Sequence, residues 1–175
     1  MDLNAWFLVL AVLTPFVGAY VILVFRNRPN AREATSLVAA VLTFAFAALS
    51  LPAFFANPTP VSTDAVTMFL GLSVKLTGDG LGLLFAVLAS FLWILTTVYN
   101  IGYMRGLKEH AQTRYYACFA LVIGATMGVA LSANLFSLFL FYEILTVATY
   151  PLVAHKETEE AFAAGRKYLV YTLSG

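Results

Sequence analysis

The sequence predicts an all-α membrane protein: a bundle of five transmembrane helices plus an incomplete sixth, with a short extracytoplasmic strand or hairpin segment. Three observations predict it. Of 175 residues, 61% are hydrophobic and only 11% charged, with a mean hydropathy of +0.86, well outside the mixture of a soluble domain. Apolar runs recur that are long enough, at 1.5 Å per residue, to cross a hydrocarbon core of about 30 Å. The polar punctuation between them sorts nearly all the Lys and Arg residues to one side. A formal net charge of +1 offers nothing to nucleic acid, so partners are expected within the lipid bilayer. The single cysteine, Cys118, excludes an intrachain disulfide and any CxxC site.

The first span covers about 3–25. Its start, MDLNAWFLVL, carries an acid, Asp2, where a signal peptide would carry Lys or Arg, and the apolar run exceeds a signal h-region, so it is read as retained. Pro15 removes one backbone donor and is expected to kink it. The polar stretch RNRPNAREA, 26–34, ends this span and a second follows at 35–56, stopped by Asn57, Pro58 and Pro60. Between 59 and 78 the alternation in MFLGLSVKLTGDG suits a short strand or hairpin. The third span, 79–104, opens at Asp79, placed to cap the helix. The fourth, 115–131, carries Gly124, Gly128 and Ser132 at four-residue spacing, a small-residue stripe that lets another helix approach. A Ser132-Ala133-Asn134 connection leads to the fifth span, 134–154, and the sixth, 161–175, is too short to cross. The whole is expected to be one transmembrane domain, the N-terminal part of a longer subunit.

With these spans one side receives Arg26, Arg28, Arg32, Arg105, Lys108, Arg114, Lys156, Arg166 and Lys167, and the other only Lys75. Under the positive-inside rule the first side is cytoplasmic and the N-terminus lies outside. The expected location is the bacterial cytoplasmic (inner) membrane.

The candidate site lies in the fifth span, NLFSLFLFYEILTVATYP, which holds Glu143 near its middle. A charge at that depth costs about 2.5 to 3.5 kcal/mol on translocon scales, so it is rarely kept without a use. The other acids fall in loops or at span ends on this reading, Glu33 among them. Burial disfavours an ionised carboxylate and a nearby cation favours it, so a moving partner charge can switch such a group, as a proton relay requires. Phe136, Phe139, Thr146, Val147 and Tyr150 share its helix face. Thr146 and Tyr150 could hydrogen-bond the carboxyl or hold water, while Pro151 leaves the Val147 carbonyl without its helical donor. His155, at the cytoplasmic end of the same helix, is either a proton-path residue or a surface histidine in a charged loop. Lys167, at a compatible depth on the next segment, either pairs with Glu143 or snorkels to the headgroups. No nucleotide-binding glycine pattern, haem ligand set or iron-sulfur cysteine set is present, so no cofactor and no metal site is expected.

Three stretches, GDGLGLLFAVLASFLWILTTVYNIGYMRG, RYYACFALVIGATMGVALSANLFSLFLFYEILTVATYPLV and AGRKYLVYTLSG, resemble the antiporter-like membrane subunits shared by respiratory NADH:quinone oxidoreductase, multisubunit sodium/proton antiporters and membrane-bound hydrogenases. The likeness is greatest to the D-type component of the multisubunit cation/proton antiporters and covers about 71–175. It implies that the glutamate of FYE, Glu143, is part of a proton path, that a lysine partner lies one span beyond this chain, and that the partners are other membrane subunits, protons and, as a second candidate ion, sodium. The leading expectation is a proton-translocating, non-redox membrane subunit that is not catalytic by itself. The alternative is a structural or assembly subunit, or a truncated remnant, without transport activity.

Overall fold

The computed structural model describes residues 3–56, 60–64, 66–67 and 72–174. The acid Asp2 and the stops Asn57 and Pro58 lie outside the described residues. Five long helices carry the architecture: α1 (Leu3–Val24), α2 (Pro29–Leu49), α4 (Gly80–Gly106), α5 (Gln112–Ala130) and α6 (Leu135–Val153). All are long and apolar enough to cross a membrane, α2 when taken together with the short α3 (Leu51–Ala56) that continues it. The break between α2 and α3 falls at Ser50, where Pro52 cannot donate to the carbonyl of Ala48. The last helix, α7 (Glu159–Ser174), is shorter and opens with Glu159 and Glu160 at its positive end.

The second helix departs from the sequence reading. It begins at Pro29 rather than near 35, so Arg32 and Glu33 belong to a helix and are both buried, whereas the sequence assigned them to a polar connection. Proline at the first helical position has its φ preset and loses no needed donor, which explains the early start. Two other helix starts are capped by side chains: Asp79, as its position implies, accepts from the Gly82 amide at 2.7 Å, and Asn134 from the Ser137 amide at 2.7 Å.

Helices α1, α2, α4 and α5 close into a ring, α1 against α2 and α5, α4 against α2 and α5. Helix α6 packs on the outside of that ring against α5, and α7 packs in turn on α6. Two apolar clusters fill the ring. Leu8, Val12, Leu83, Met127 and Leu131 lie at one end, with Phe141 of α6 joining them. Ala19, Ile22, Ala39, Trp93 and Tyr116 lie at the other. The small-residue stripe works as packing: a Cβ at Gly124 would meet the Phe16 ring of α1, and one at Gly128 the Phe141 ring of α6.

Between α3 and α4 the chain forms two nested antiparallel pairs. Strand β1 (Val61–Ser62) pairs with β4 (Thr77–Gly78), and β2 (Val66–Thr67) with β3 (Ser73–Val74). This segment is stitched to the α5–α6 connection. Thr77 donates to the Leu131 carbonyl at 2.7 Å, Ala133 to that of Lys75 at 2.9 Å, and the Asn134 side chain to that of Ser73 at 2.9 Å. The Lys75 amide in turn donates to Ser137 Oγ at 2.9 Å. The start of α6 is thereby fixed on both its backbone and its cap residue.

Candidate functional site

Glu143 sits in the middle of α6, nine residues beyond the capping Asn134, and is half-buried. Helical spacing sets its surroundings. Phe141 packs on Gly128 of α5, with Ser137 and Ala148 buried on the same side, and Glu143 lies on the other half of the helix, where Thr146 is buried too. Of its face neighbours, Phe139 is 58% exposed and Val147 61% exposed, while Thr146 is fully buried. Tyr150, half-buried, lies where α7 crosses: a Cβ at Gly165 would stand only 2.7 Å from its ring. The chain thus covers the lower part of the Glu143 face with α7 and leaves the upper part open. Only 17% of α6 is buried, against 28 to 39% in the other four spans.

Among the described residues no hydrogen bond or ion pair reaches Glu143. Lys167 is exposed on α7 and forms no ion pair with it, and Thr146 and Tyr150 flank the carboxyl without bonding it. The structure therefore keeps Thr146 and Tyr150 on the same helix face as Glu143 and shows no ion pair between Glu143 and Lys167 among the described residues.

His155 is neither a bare surface residue nor a simple continuation of the helix. Its ring stacks on His110 of the α4–α5 connection, centroids 5.0 Å apart, and meets Tyr115 edge-on at 5.6 Å. Both ring nitrogens are buried with no hydrogen-bond partner among the described residues. Burial, then the neighbouring His110 and Arg114, holds its pKa below the ordinary histidine value, which favours the neutral ring. Arg114 ties this corner together by pairing with Glu157 and donating to the His155 carbonyl at 3.2 Å. The direct hydrogen bond from Arg114 also holds the Glu157 carboxyl below the usual carboxylate range.

A second buried carboxylate was missed from sequence. Glu33, 4% exposed, accepts from Arg105 through both oxygens, Nε at 3.0 Å and a terminal nitrogen at 2.5 Å. Arg105 also donates to Asn30 Oδ1 at 2.5 Å. Beside it, buried Arg32 donates to Thr113 at 3.0 Å and Gln112 at 2.6 Å and lies 5.5 Å from the centre of the Tyr116 ring. A fork-to-fork pair is the arrangement in which a buried charge is tolerated. The signal in sequence was the proline within RNRPNAREA, which marks a helix start ahead of Glu33.

Four membrane-crossing helices closed into a ring, with a fifth packed outside it that carries a carboxylate unpaired among the described residues, define an integral membrane protein. Comparison with known proteins narrows this. No protein-family model matches the sequence. Over 106 residues, 60% of the chain, it is 34% identical to the Na(+)/H(+) antiporter subunit A1 of Staphylococcus aureus strain bovine RF122 / ET3-1, and equally to that of strains JH9 and Newman. The matched stretch is 13% of each relative, so the chain spans a small fraction of their length. Among solved structures, a chain of the membrane-bound sulfane sulfur reductase, an archaeal respiratory membrane complex, superposes with a TM-score of 0.81 over 93% of this chain and 33% of its own, at 20% identity. That likeness is one of fold. The sequence comparison agrees with the resemblance to antiporter-like membrane subunits.

Proposed function

We propose that the chain is the N-terminal part of a proton-translocating, non-redox antiporter-like membrane subunit, working in a cation/proton antiporter or a complex of the respiratory NADH:quinone oxidoreductase kind. Glu143 is its intramembrane proton relay. The observation that carries this reading is the position of Glu143 halfway along a crossing helix, unpaired among the described residues, on a face the chain leaves open. A carboxylate kept there at a cost of a few kcal/mol is explained by a use. An open face is also where the further helices of a longer subunit would pack and bring a partner charge. Thr146 and Tyr150 extend the path toward the end of α6, with His155 at its mouth. The nine basic residues sorted to that side support a cytoplasmic position for it, with the N-terminus outside. The bacterial cytoplasmic membrane is the matching location, since the Staphylococcus relatives are bacterial.

Lys167 is the cation available to Glu143 within the chain. Pairing requires the side chain to swing in from its exposed position, a motion open to a long flexible lysine. The deciding experiment is Glu143→Gln in the full-length parent, reconstituted in vesicles. Coupled proton movement is expected to vanish with assembly intact; transport at the parent rate would overturn the assignment in favour of a purely structural subunit.

A further inference from the structure

The corner where α6 meets the α4–α5 connection gathers a donor set that no spacing in the sequence announces. Glu109, His110 and His155 each present one ligand atom, and these atoms all lie within 4.8 Å of one another. Glu109 Oε2 is 3.7 Å from His110 Nδ1, and the two imidazoles are stacked at an interplanar angle of 20°. We propose that Glu109, His110 and His155 bind a divalent transition-metal ion of the zinc class, cross-linking the α4–α5 connection to the end of the Glu143 helix.

The chemistry of the donors selects the ion. Two imidazoles and one carboxylate suit zinc and its neighbours in the first transition row, whereas magnesium and calcium take oxygen ligands. Three protein ligands leave a fourth tetrahedral position for water, and that position has access to solvent because His110 is 47% exposed. Donors bound at about 2.0 to 2.2 Å stand roughly 3.4 Å apart in a tetrahedron. Closure requires the two imidazoles to rotate out of their stack so that their in-plane lone pairs converge on the ion; His110 and Glu109 sit between Lys108 and Ala111, both in left-handed backbone conformations. The competing explanation is ordinary ring stacking against Tyr115. Stacking satisfies the ring faces and leaves the two buried His155 nitrogens without a partner among the described residues; a bound metal would engage one of them. The charges nearby divide. Arg114 is neutralised by Glu157, while Lys108 and Lys156 are exposed and can turn away into water.

The test uses the full-length protein, purified in detergent with an affinity tag free of histidine and stripped with a chelator. Equilibrium dialysis against zinc is expected to show a site lost from His110→Gln and from His155→Gln. Each should weaken binding by more than about a hundredfold, beyond the 10- to 100-fold usual for outer-shell changes. Lys156→Gln should bind as the parent does, and magnesium should not compete. Should His155→Gln fail to fold, His110→Gln, on an exposed turn, decides alone. Equal zinc binding by the parent and His110→Gln, or displacement of zinc by magnesium, would overturn the proposal.

Discussion

Glu33 and Glu143 are both carboxylates on membrane-crossing helices, and the structure treats them oppositely. Glu33 faces into the ring of α1, α2, α4 and α5 near its basic end, where Arg105 grips both its oxygens and Arg32 stands 3.8 Å away. Glu143 faces outward from α6, beyond the ring, and holds no partner among the described residues. A charge whose hydrogen bonds are all made has one stable state and serves the fold. A charge left unpaired beside an open face can be set by whatever arrives there, which is what a relay needs. Depth in the membrane is therefore an insufficient criterion for function; the state of the partner decides.

The contrast can be broken most directly at Glu143. Glu143→Gln is expected to eliminate coupled proton movement while changing unfolding stability by less than about 0.5 kcal/mol, as for a side chain without fixed contacts. A large loss of stability in a thermal or denaturant melt would mean that Glu143 is as structural as Glu33. Next in size, Glu33→Ala should lower stability by about 2 kcal/mol, the scale of a lost charge-assisted hydrogen-bond pair. Transport per folded molecule should survive it. Transport lost with stability intact would move Glu33 into the proton path.

Lys167→Ala probes a smaller effect. If this lysine supplies the missing charge, the carboxyl infrared band of Glu143 should titrate differently in the variant; an unchanged titration removes Lys167 from the site. The smallest effect concerns the corner at the end of α6. With chelator present, the His155 ring has a folded pKa below its unfolded value of about 6.5. Below that pH the unfolded chain takes up a proton that the folded chain refuses, so stability should fall as pH drops from about 6.5 toward the folded value. His155→Gln should flatten that slope in melts between about pH 7 and 5, and an identical slope would show that another group governs it.

Much of this was legible in the residues because it depends on local quantities. Apolar length marked where helices cross, and Asp79 disclosed its capping role through position, whereas the cap made by Asn134, read only as the end of a connection, came from the structure. The alternation before Gly78 pointed to strands, though it could not reveal that they brace Asn134 and Ser137. The start of α2 was misread because hydropathy marks the polar residues Asn30, Arg32 and Glu33 as a connection, while the backbone preference of Pro29 and the partners on α4 and α5 make them helical.

What the sequence by itself determined is the membrane class, the apolar helices long enough to cross and the position of Glu143 midway along one of them, since hydropathy, span length and helix periodicity are properties of consecutive residues. Only the tertiary structure decided which carboxylate is satisfied. The donor that neutralises Glu33 lies 72 positions away on α4, and His110 meets His155 only because two separate connections share one end of the bundle. Partnership of charges is set by packing across helices, and no window of neighbouring residues contains it.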